Sequence, residues 1–341
     1  MGLSVVRCDG RYPLDESQRM RMQLSPDGFK KVKGLVDGDF QIEGCIQLSQ
    51  AMAASGAAVF MSDADSDWSV YVERNSRDCL TMTPTYLTIE TEGPVTIVTL
   101  ARENVRNAIN EAMLAEIEDA FRAPPAGTRC FVLAAKGAHF CAGLDLREHV
   151  EKDRSALEFM ALSQAWHRSF DAIQFGGIPV IAALQGAVVG GGLELASATH
   201  VRIAEESTFF ALPEGQRGIF TGGGATVRVA RIVTAARMVD MMLSARTYDA
   251  KRGLDFGLCH EVVGAGEALA KAKTLAAQVA THPGTTNFAI VTGIARINDM
   301  STTDGLFAES LLAMAVQTNP DIKERLGDFF AKKTKRLEPG T

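Results

Sequence analysis

The sequence predicts an α/β protein built on a largely parallel sheet and closed at its C-terminus by helices. Three observations carry that prediction. From Tyr86 onward, short β-branched runs alternate with amphipathic helical stretches, the mark of crossover units around a parallel sheet. The stretch Ile178–Ala196 reads as a strand, a glycine loop and a helix start in direct succession. From Gly266 to Lys335 the strand pattern stops, and helical composition continues, broken at Pro283, Gly305 and Asn319-Pro320. With 341 residues, 46% of them hydrophobic, the chain can bury a large core.

Residues 1–81 read differently. Their periodicity is weak, and Met61-Ser62-Asp63-Ala64-Asp65-Ser66-Asp67 is acidic and turn-like. A short helix is expected over Gln47–Ala54 and a strand over Trp68–Val72. Met82, followed by Thr83-Pro84-Thr85, reads as a translation start. The expected organisation is therefore an N-terminal extension at 1–81, disordered or outside the native domain. An α/β core at 82–280 and a helical region at 281–341 follow it.

Within the core, Tyr86–Glu90 alternates as a strand. Gly93-Pro94 marks a turn and Val95–Leu100 a second strand, so the two form a hairpin. Glu103–Asn110 is a loop. Glu111–Phe121 is a helix with Met113, Ile117, Ala120 and Phe121 on one face. Pro124-Pro125-Ala126-Gly127 ends it, and Cys130–Ala135 is an apolar strand. Gly137–Arg147 again reads as strand, small-residue loop and helix start, where Ala142 and Gly143 let a ligand lie against the backbone. A long helix over Ser155–Phe175 leads into Ile178–Ala196. Beyond that come strands at Val201–Ala204 and Thr208–Leu212, and a glycine loop through Gly218, Gly222, Gly223 and Gly224. Helices follow at Thr226–Ile232 and Ala235–Ser244, a short helix from Tyr248 to near Gly257, and a strand at His260–Val263.

The chemistry is expected in the glycine loops. Gly186 and the triplet Gly190-Gly191-Gly192 open onto a helix start, which exposes bare N–H groups and partial positive charge. Such a site holds a phosphate or a developing oxyanion, and Glu194 adds a carboxylate in the first helical turn. The same residues also fit ordinary close packing and helix capping. No Gly-Lys-Ser/Thr follows, so a P-loop is excluded, and the dinucleotide spacing is absent. The net charge of −6 argues against a binder driven by phosphate neutralisation. The six cysteines have no CxxC spacing and the six histidines no ligand spacing, so no metal is expected. Cys141, small and without an evident base, is expected to be inert. There is no N-terminal apolar h-region, Val6 breaks the myristoylation pattern, and no apolar run reaches the length of a span. A soluble cytoplasmic protein is expected.

From about Thr85 to Leu337 the chain resembles the crotonase superfamily, the enoyl-CoA hydratase/isomerase family. Four stretches carry the likeness in order. Leu100–Asn110 resembles the first coenzyme A loop, and Phe140–Arg147 the first oxyanion segment. Ala183–Ala196 resembles the second oxyanion segment, and Phe210–Gly222 the second acidic segment. The resemblance implies a crotonase-like spiral of ββα units with a C-terminal helical trimerisation region, assembled as a trimer or dimer of trimers. It implies an acyl-CoA thioester as ligand, acted on without a metal or redox cofactor; with the acidic net charge and no apolar span, no nucleic-acid or membrane partner is expected.

Carried over by position, the oxyanion hole is the N–H pair of Leu144 and Gly191. Glu194 and Glu214, twenty residues apart, fall where hydratases carry two carboxylates. Arg106, Ala108, Ala142, Gly143, Asp145, Arg147, Gly190 and Gly222 are implied substrate or coenzyme A contacts. Lys332 and Lys333 match a region where a neighbouring subunit reaches coenzyme A. Tyr248 is a candidate wall of the acyl pocket. Two departures stand out. Leu212 replaces a polar residue common two positions before the second glutamate, and Gly215-Gln216-Arg217 is more polar than the usual continuation. Hydration needs charge stabilised on the thioester oxygen, a base for water at Cβ and an acid for Cα, and this set supplies all three. Glu194 is expected to be the base and Glu214 the acid. A double-bond isomerase, an aromatic acyl-CoA hydratase-lyase, and a CoA- or RNA-binding relative with incidental catalysis are the rival readings.

Overall fold

In the computed structural model, which describes residues 6–7, 20–22, 58–62, 69–73 and 84–331, the chain forms two units, 1–83 and 84–341. The first holds a four-stranded sheet of β1 (Val6–Arg7), β2 (Met20–Met22), β3 (Ala58–Ser62) and β4 (Ser69–Glu73), in the order β1-β3-β4-β2. Strand β1 runs parallel to β3, and the other pairings are antiparallel. Strand β4 lies over the strand expected at Trp68–Val72. The helix expected at Gln47–Ala54 lies outside the described residues.

The second unit is organised on a six-stranded sheet. Its hairpin of β5 (Leu87–Glu92) and β6 (Val95–Leu100) is antiparallel. Then β7 (Cys130–Ala135), β8 (Val180–Leu184), β10 (Val201–Glu205) and β13 (Glu261–Val263) add in parallel, giving the order β13-β10-β8-β7-β6-β5. All five residues of β8 are buried, as a parallel strand covered on both faces requires. The two-residue period sorts the side chains. Phe131, Leu133, Ala182 and Leu184 enter the larger core, where helices α1 (Glu111–Arg122) and α3 (Ala156–Gln174) pack. Val132, Ala134, Ile181 and Ala183 face α8 (Ala268–Ala280), whose Ala268, Ala272, Ala276 and Ala280 form a smooth stripe at helical spacing. Asn110 caps α1 through Met113 N–H, and Ser155 with Glu158 closes a capping box on α3.

The expected single strand before the glycine triplet is split in two. Beyond β8 the chain turns at Gly186, where φ is +53° and an added Cβ would lie 2.1 Å from the Ala138 carbonyl oxygen. Only glycine makes that turn at that distance. The next residues, β9 (Ala187–Val189), therefore leave the large sheet and pair with β11 (Phe209–Ala211), whose other edge pairs with β12 (Tyr248–Asp249), in a three-stranded one. Tyr248 is in a strand rather than a helix, and Asp249 caps the helix that follows, α7 (Ala250–Asp255). Between them lie α2 (Leu146–Glu151), α4 (Gly191–Ser197), α5 (Ala225–Val233) and α6 (Ala235–Ser244).

The C-terminal run is α8 followed by α9 (Gly284–Ile297), α10 (Thr302–Gln317) and α11 (Asp321–Phe330). Gly305 does not break a helix as the sequence suggested. The break falls at 298–301, Ser301 caps α10, and Gly305 sits inside it, where a Cβ would press to 3.2 Å on Ile297 Cγ2. Phe288, Ile294, Leu306, Phe307, Phe329 and Phe330 are exposed on these helices. No helix among the described residues is long and apolar enough to cross a membrane.

Candidate active site

Two loops meet at the N-terminus of α4. Cys141 N–H donates to the Ala187 carbonyl and Val189 N–H to the Cys141 carbonyl, at 2.9 and 3.1 Å, so residues 140–145 and 187–191 lie side by side. Around this seam the amides are spoken for. Ala142 N–H goes to the Arg106 carbonyl, Gly143 N–H to Cys141 Sγ, Asp145 N–H to the Ile109 carbonyl and Gly190 N–H to the Ala211 carbonyl. Leu144 and Gly191 N–H have no acceptor among the described residues. A Cβ at Gly143 (φ +95°) would lie 2.7 Å from the Val189 oxygen and 3.0 Å from Gly191 N, so the close approach of the loops depends on glycine there. A Cβ at Gly191 would lie 2.7 and 2.8 Å from ring carbons of Trp166 and 3.3 Å from Leu144 N.

Two carboxyl groups face the same cleft. Glu194 stands in the first turn of α4, all seven of whose residues are buried. Its Oε1 accepts from Gly223 N–H at 2.8 Å and Ala225 N–H at 3.0 Å. Arg228, itself buried, holds this clamp in shape: it donates to the Gly223 carbonyl, to Gln174 and to Asp171. Burial pushes the Glu194 carboxyl up to about 7, against the two N–H bonds and with help from the neighbouring charge of Glu214. Glu214 heads a 3-10 turn, Glu214–Arg217, after β11. Burial raises its carboxyl too, opposed by its own N–H and by Arg217, and its Oε2 has no partner among the described residues. Leu212, fully buried, offers it no hydrogen bond.

Of the residues singled out from sequence, Ala142, Gly143, Leu144, Gly190, Gly191, Glu194, Glu214, Arg217 and Gly222 line this cleft. Arg106, Ala108, Asp145, Arg147, Gln216 and Tyr248 do not. Asp145 caps α2 and pairs with Arg102 at 3.1 Å. Arg106 (φ +54°) and Ala108 give their carbonyls to Ala142 N–H and to Arg102. The Tyr248 hydroxyl donates to Asp240. Lys332 and Lys333 lie outside the described residues. The Cys141 thiol, pushed up to about 12 by burial, donates to the Asn107 carbonyl. No cluster with metal-holding geometry occurs among the described residues.

Sequence reasoning missed the rest of the wall. Phe159, Leu162, Ser163 and Trp166 come from α3, Leu146 and His149 from α2, and Ile219, Phe220 and Thr221 from the loop before α5; Gly223, read in the sequence only as part of a glycine loop, completes it. The one available signal was Trp166, one of two tryptophans, in the helix that precedes the glycine-rich segment.

Comparison with known proteins followed the same residues. A family model for enoyl-CoA hydratase/isomerase matches residues 90–338. The chain is 31% identical over 250 residues to the 2,3-dehydroadipyl-CoA hydratase of Escherichia coli K12, covering 73% of this chain and 96% of that protein. It is 40% identical over 154 residues to the fatty acid oxidation complex subunit alpha of Shewanella loihica, covering 44% of this chain but 21% of that longer protein. A solved structure from Rhodopseudomonas palustris CGA009, provisionally named an enoyl-CoA hydratase, superposes with a TM-score of 0.70 at 44% identity, over 73% of this chain and 96% of that one. The enoyl-CoA hydratase of Bacillus anthracis superposes with a TM-score of 0.68 at 26% identity, over 75% and 100%. These neighbours share the crotonase-type α/β architecture with its helical C-terminal region.

Proposed function

Since the chain belongs to the enoyl-CoA hydratase/isomerase family, we propose that it adds water across the double bond of a 2-enoyl-CoA thioester. The observation that carries this reading is the pairing of two buried carboxyl groups with two unpaired amides around one cleft. In the proposed reaction the thioester oxygen lies between Leu144 and Gly191 N–H. Each such donor contributes about 2.7–4 kcal/mol to the transition state in comparable sites.

Glu194, with Oε1 held by two amides, takes the proton of a water through Oε2 as that water attacks Cβ. The electron pair of the double bond moves onto the thioester, and the enolate is held by the two amides. Protonated Glu214 then delivers its proton to Cα, and exchange with solvent restores the pair. A carboxyl group pushed up to about 7 exchanges its proton readily at neutral pH, which suits this task. Coenzyme A enters as part of the substrate, and no other cofactor is proposed. The exposed apolar residues of α9–α11 suit covering by further copies of this chain.

Double-bond isomerisation is the second reading. It is favoured by the lack of a partner for Glu214 Oε2 among the described residues, since one well-held carboxylate suffices to move a proton along the chain. Incubation with crotonyl-CoA and with a 3-enoyl-CoA, with product identification, decides between them. Formation of a 3-hydroxyacyl-CoA is expected, and migration of the double bond without hydration would replace the proposal by its rival.

A further inference from the structure

Four buried side-chain polar atoms lack a hydrogen-bond partner among the described residues: His149 Nδ1, Arg154 Nη1, Glu214 Oε2 and Thr221 Oγ1. Three of these four residues line one cleft, and Arg154 does not. Polar atoms buried without a partner are costly, so a concentration of them at a cleft calls for a ligand that pairs them. The hydration chemistry employs Glu214. It gives no task to His149 or Thr221.

Their surroundings sharpen the requirement. His149 lies one helical turn after Leu146 and edge-on to Phe159, with ring centroids 5.6 Å apart. Thr221 follows Ile219 and Phe220, and sits two residues before Gly223, whose N–H holds Glu194. That loop is fastened to α3 by the Ser163 hydroxyl, which donates to the Gly222 carbonyl at 2.6 Å. The two residues thus stand on a mostly apolar wall, His149 on a helix and Thr221 on a loop that Ser163 ties down. A plain alkyl chain laid on that wall would leave both atoms unpaired.

We propose that the preferred acyl group carries a neutral oxygen substituent, a hydroxyl, beyond its double bond, paired by His149 Nδ1 and Thr221 Oγ1. The inference rests on the acyl-CoA reading of the cleft. A hydroxyl both donates and accepts, so it fits either tautomer of His149 and either rotor of Thr221. A carboxylate fits less well. Among the lining residues the guanidinium is that of Arg217, which is exposed, so a buried carboxylate would go without a buried cation. Sites built to bond a substrate hydroxyl discriminate strongly against the analogue that lacks it.

The test is calorimetric binding of saturated CoA esters, which cannot be hydrated: hexanoyl-CoA, its 4-, 5- and 6-hydroxy derivatives, and the six-carbon dicarboxylic ester. At least one hydroxy ester is expected to bind about tenfold tighter than hexanoyl-CoA, a modest share of such discrimination. His149→Phe and Thr221→Val should each bring that ratio toward one, while Thr221→Ser should keep it. Equal binding of all esters, tightest binding of the dicarboxylic ester, or a ratio unmoved by both variants overturns the inference. Should the preference hold while crotonyl-CoA is not hydrated, the hydratase reading fails and the inference stands. Hydration with no preference means the reverse, and failure to bind any ester overturns both.

Discussion

Glu194 sits in the first turn of a helix buried along its whole length, whereas Glu214 sits at the head of a 3-10 turn whose next three residues are exposed. Two backbone N–H groups fix one oxygen of Glu194, and a network through Arg228 fixes the segment that supplies them. Among the described residues Glu214 has no such clamp, and one of its oxygens is unpartnered. A pre-aimed carboxylate suits a step where geometry decides the rate, the attack of water on Cβ. A looser one suits delivery of a proton to a carbon that is changing shape.

The comparison makes its largest claim about Glu194. Glu194→Gln keeps an oxygen for both amides but removes the base, and hydration of crotonyl-CoA should fall about 10²–10⁴-fold. A near-wild-type rate would end the two-carboxylate reading. Next comes the seam between the loops. Gly191→Ala places a methyl against Trp166 and beside Leu144 N. We expect about a 10²-fold loss of rate together with a lower Tm. Adding Trp166→Leu should recover the Tm but leave the rate low; recovery of both would make Gly191 a packing glycine alone.

Glu214→Gln should cost less than Glu194→Gln, about 10²-fold. The double variant should lose less than the product of the two, because the groups act on one transition state. An isomerase would tolerate the loss of Glu214 far better than a hydratase, so assays of both reactions on this variant sharpen the contrast.

What the sequence made legible follows from how the site is built. Gly190, Gly191, Glu194 and Leu144 come from consecutive residues at two strand–helix turns, and local composition marks such turns. Trp166, Ser163 and His149 do not share that property. They stand on helices with one face to the core, and periodicity cannot say whether the remaining residues meet solvent or a ligand. Asp145 shows the ambiguity from the other side. A polar residue at a helix start reads equally as ligand contact or cap, and here it caps α2. The split of β8 from β9 was hidden because it depends on the Ala138 carbonyl, 48 residues away from Gly186 in the chain.

The pH–rate profile tests the electrostatic half of the comparison. A base pushed up to about 7 predicts kcat/KM rising with pH through that value. The acid role of Glu214 requires it protonated in the reacting form, so kcat/KM should fall again at higher pH as Glu214 ionises, and Glu214→Gln should remove that descending limb. A descending limb that persists in that variant would mean that Glu214 is not the acid.

The smallest effect is on stability. The Glu194 carboxyl stands near 7 in the folded protein against an ordinary 4.5. Between those values the folded state holds a proton that the unfolded state has released, so Glu194 favours folding fully below pH 4.5 and loses that contribution as pH rises to about 7. The amount lost is on the order of 3 kcal/mol at most, and roughly 2–4 °C of Tm accompanies each kcal/mol in a unit of this size. Gln does not titrate. The Tm of Glu194→Gln relative to wild type should therefore climb across pH 4.5–7 and level off above it. Glu214→Gln should show a weaker version of the same trend, since it is the less enclosed of the two. Thermal melts of both variants and wild type at pH 4.5, 6 and 8 measure the difference. A constant offset for Glu194→Gln would mean that the clamp amides outweigh burial and hold the carboxyl near its ordinary value, which would remove the basis for treating the two glutamates as unlike.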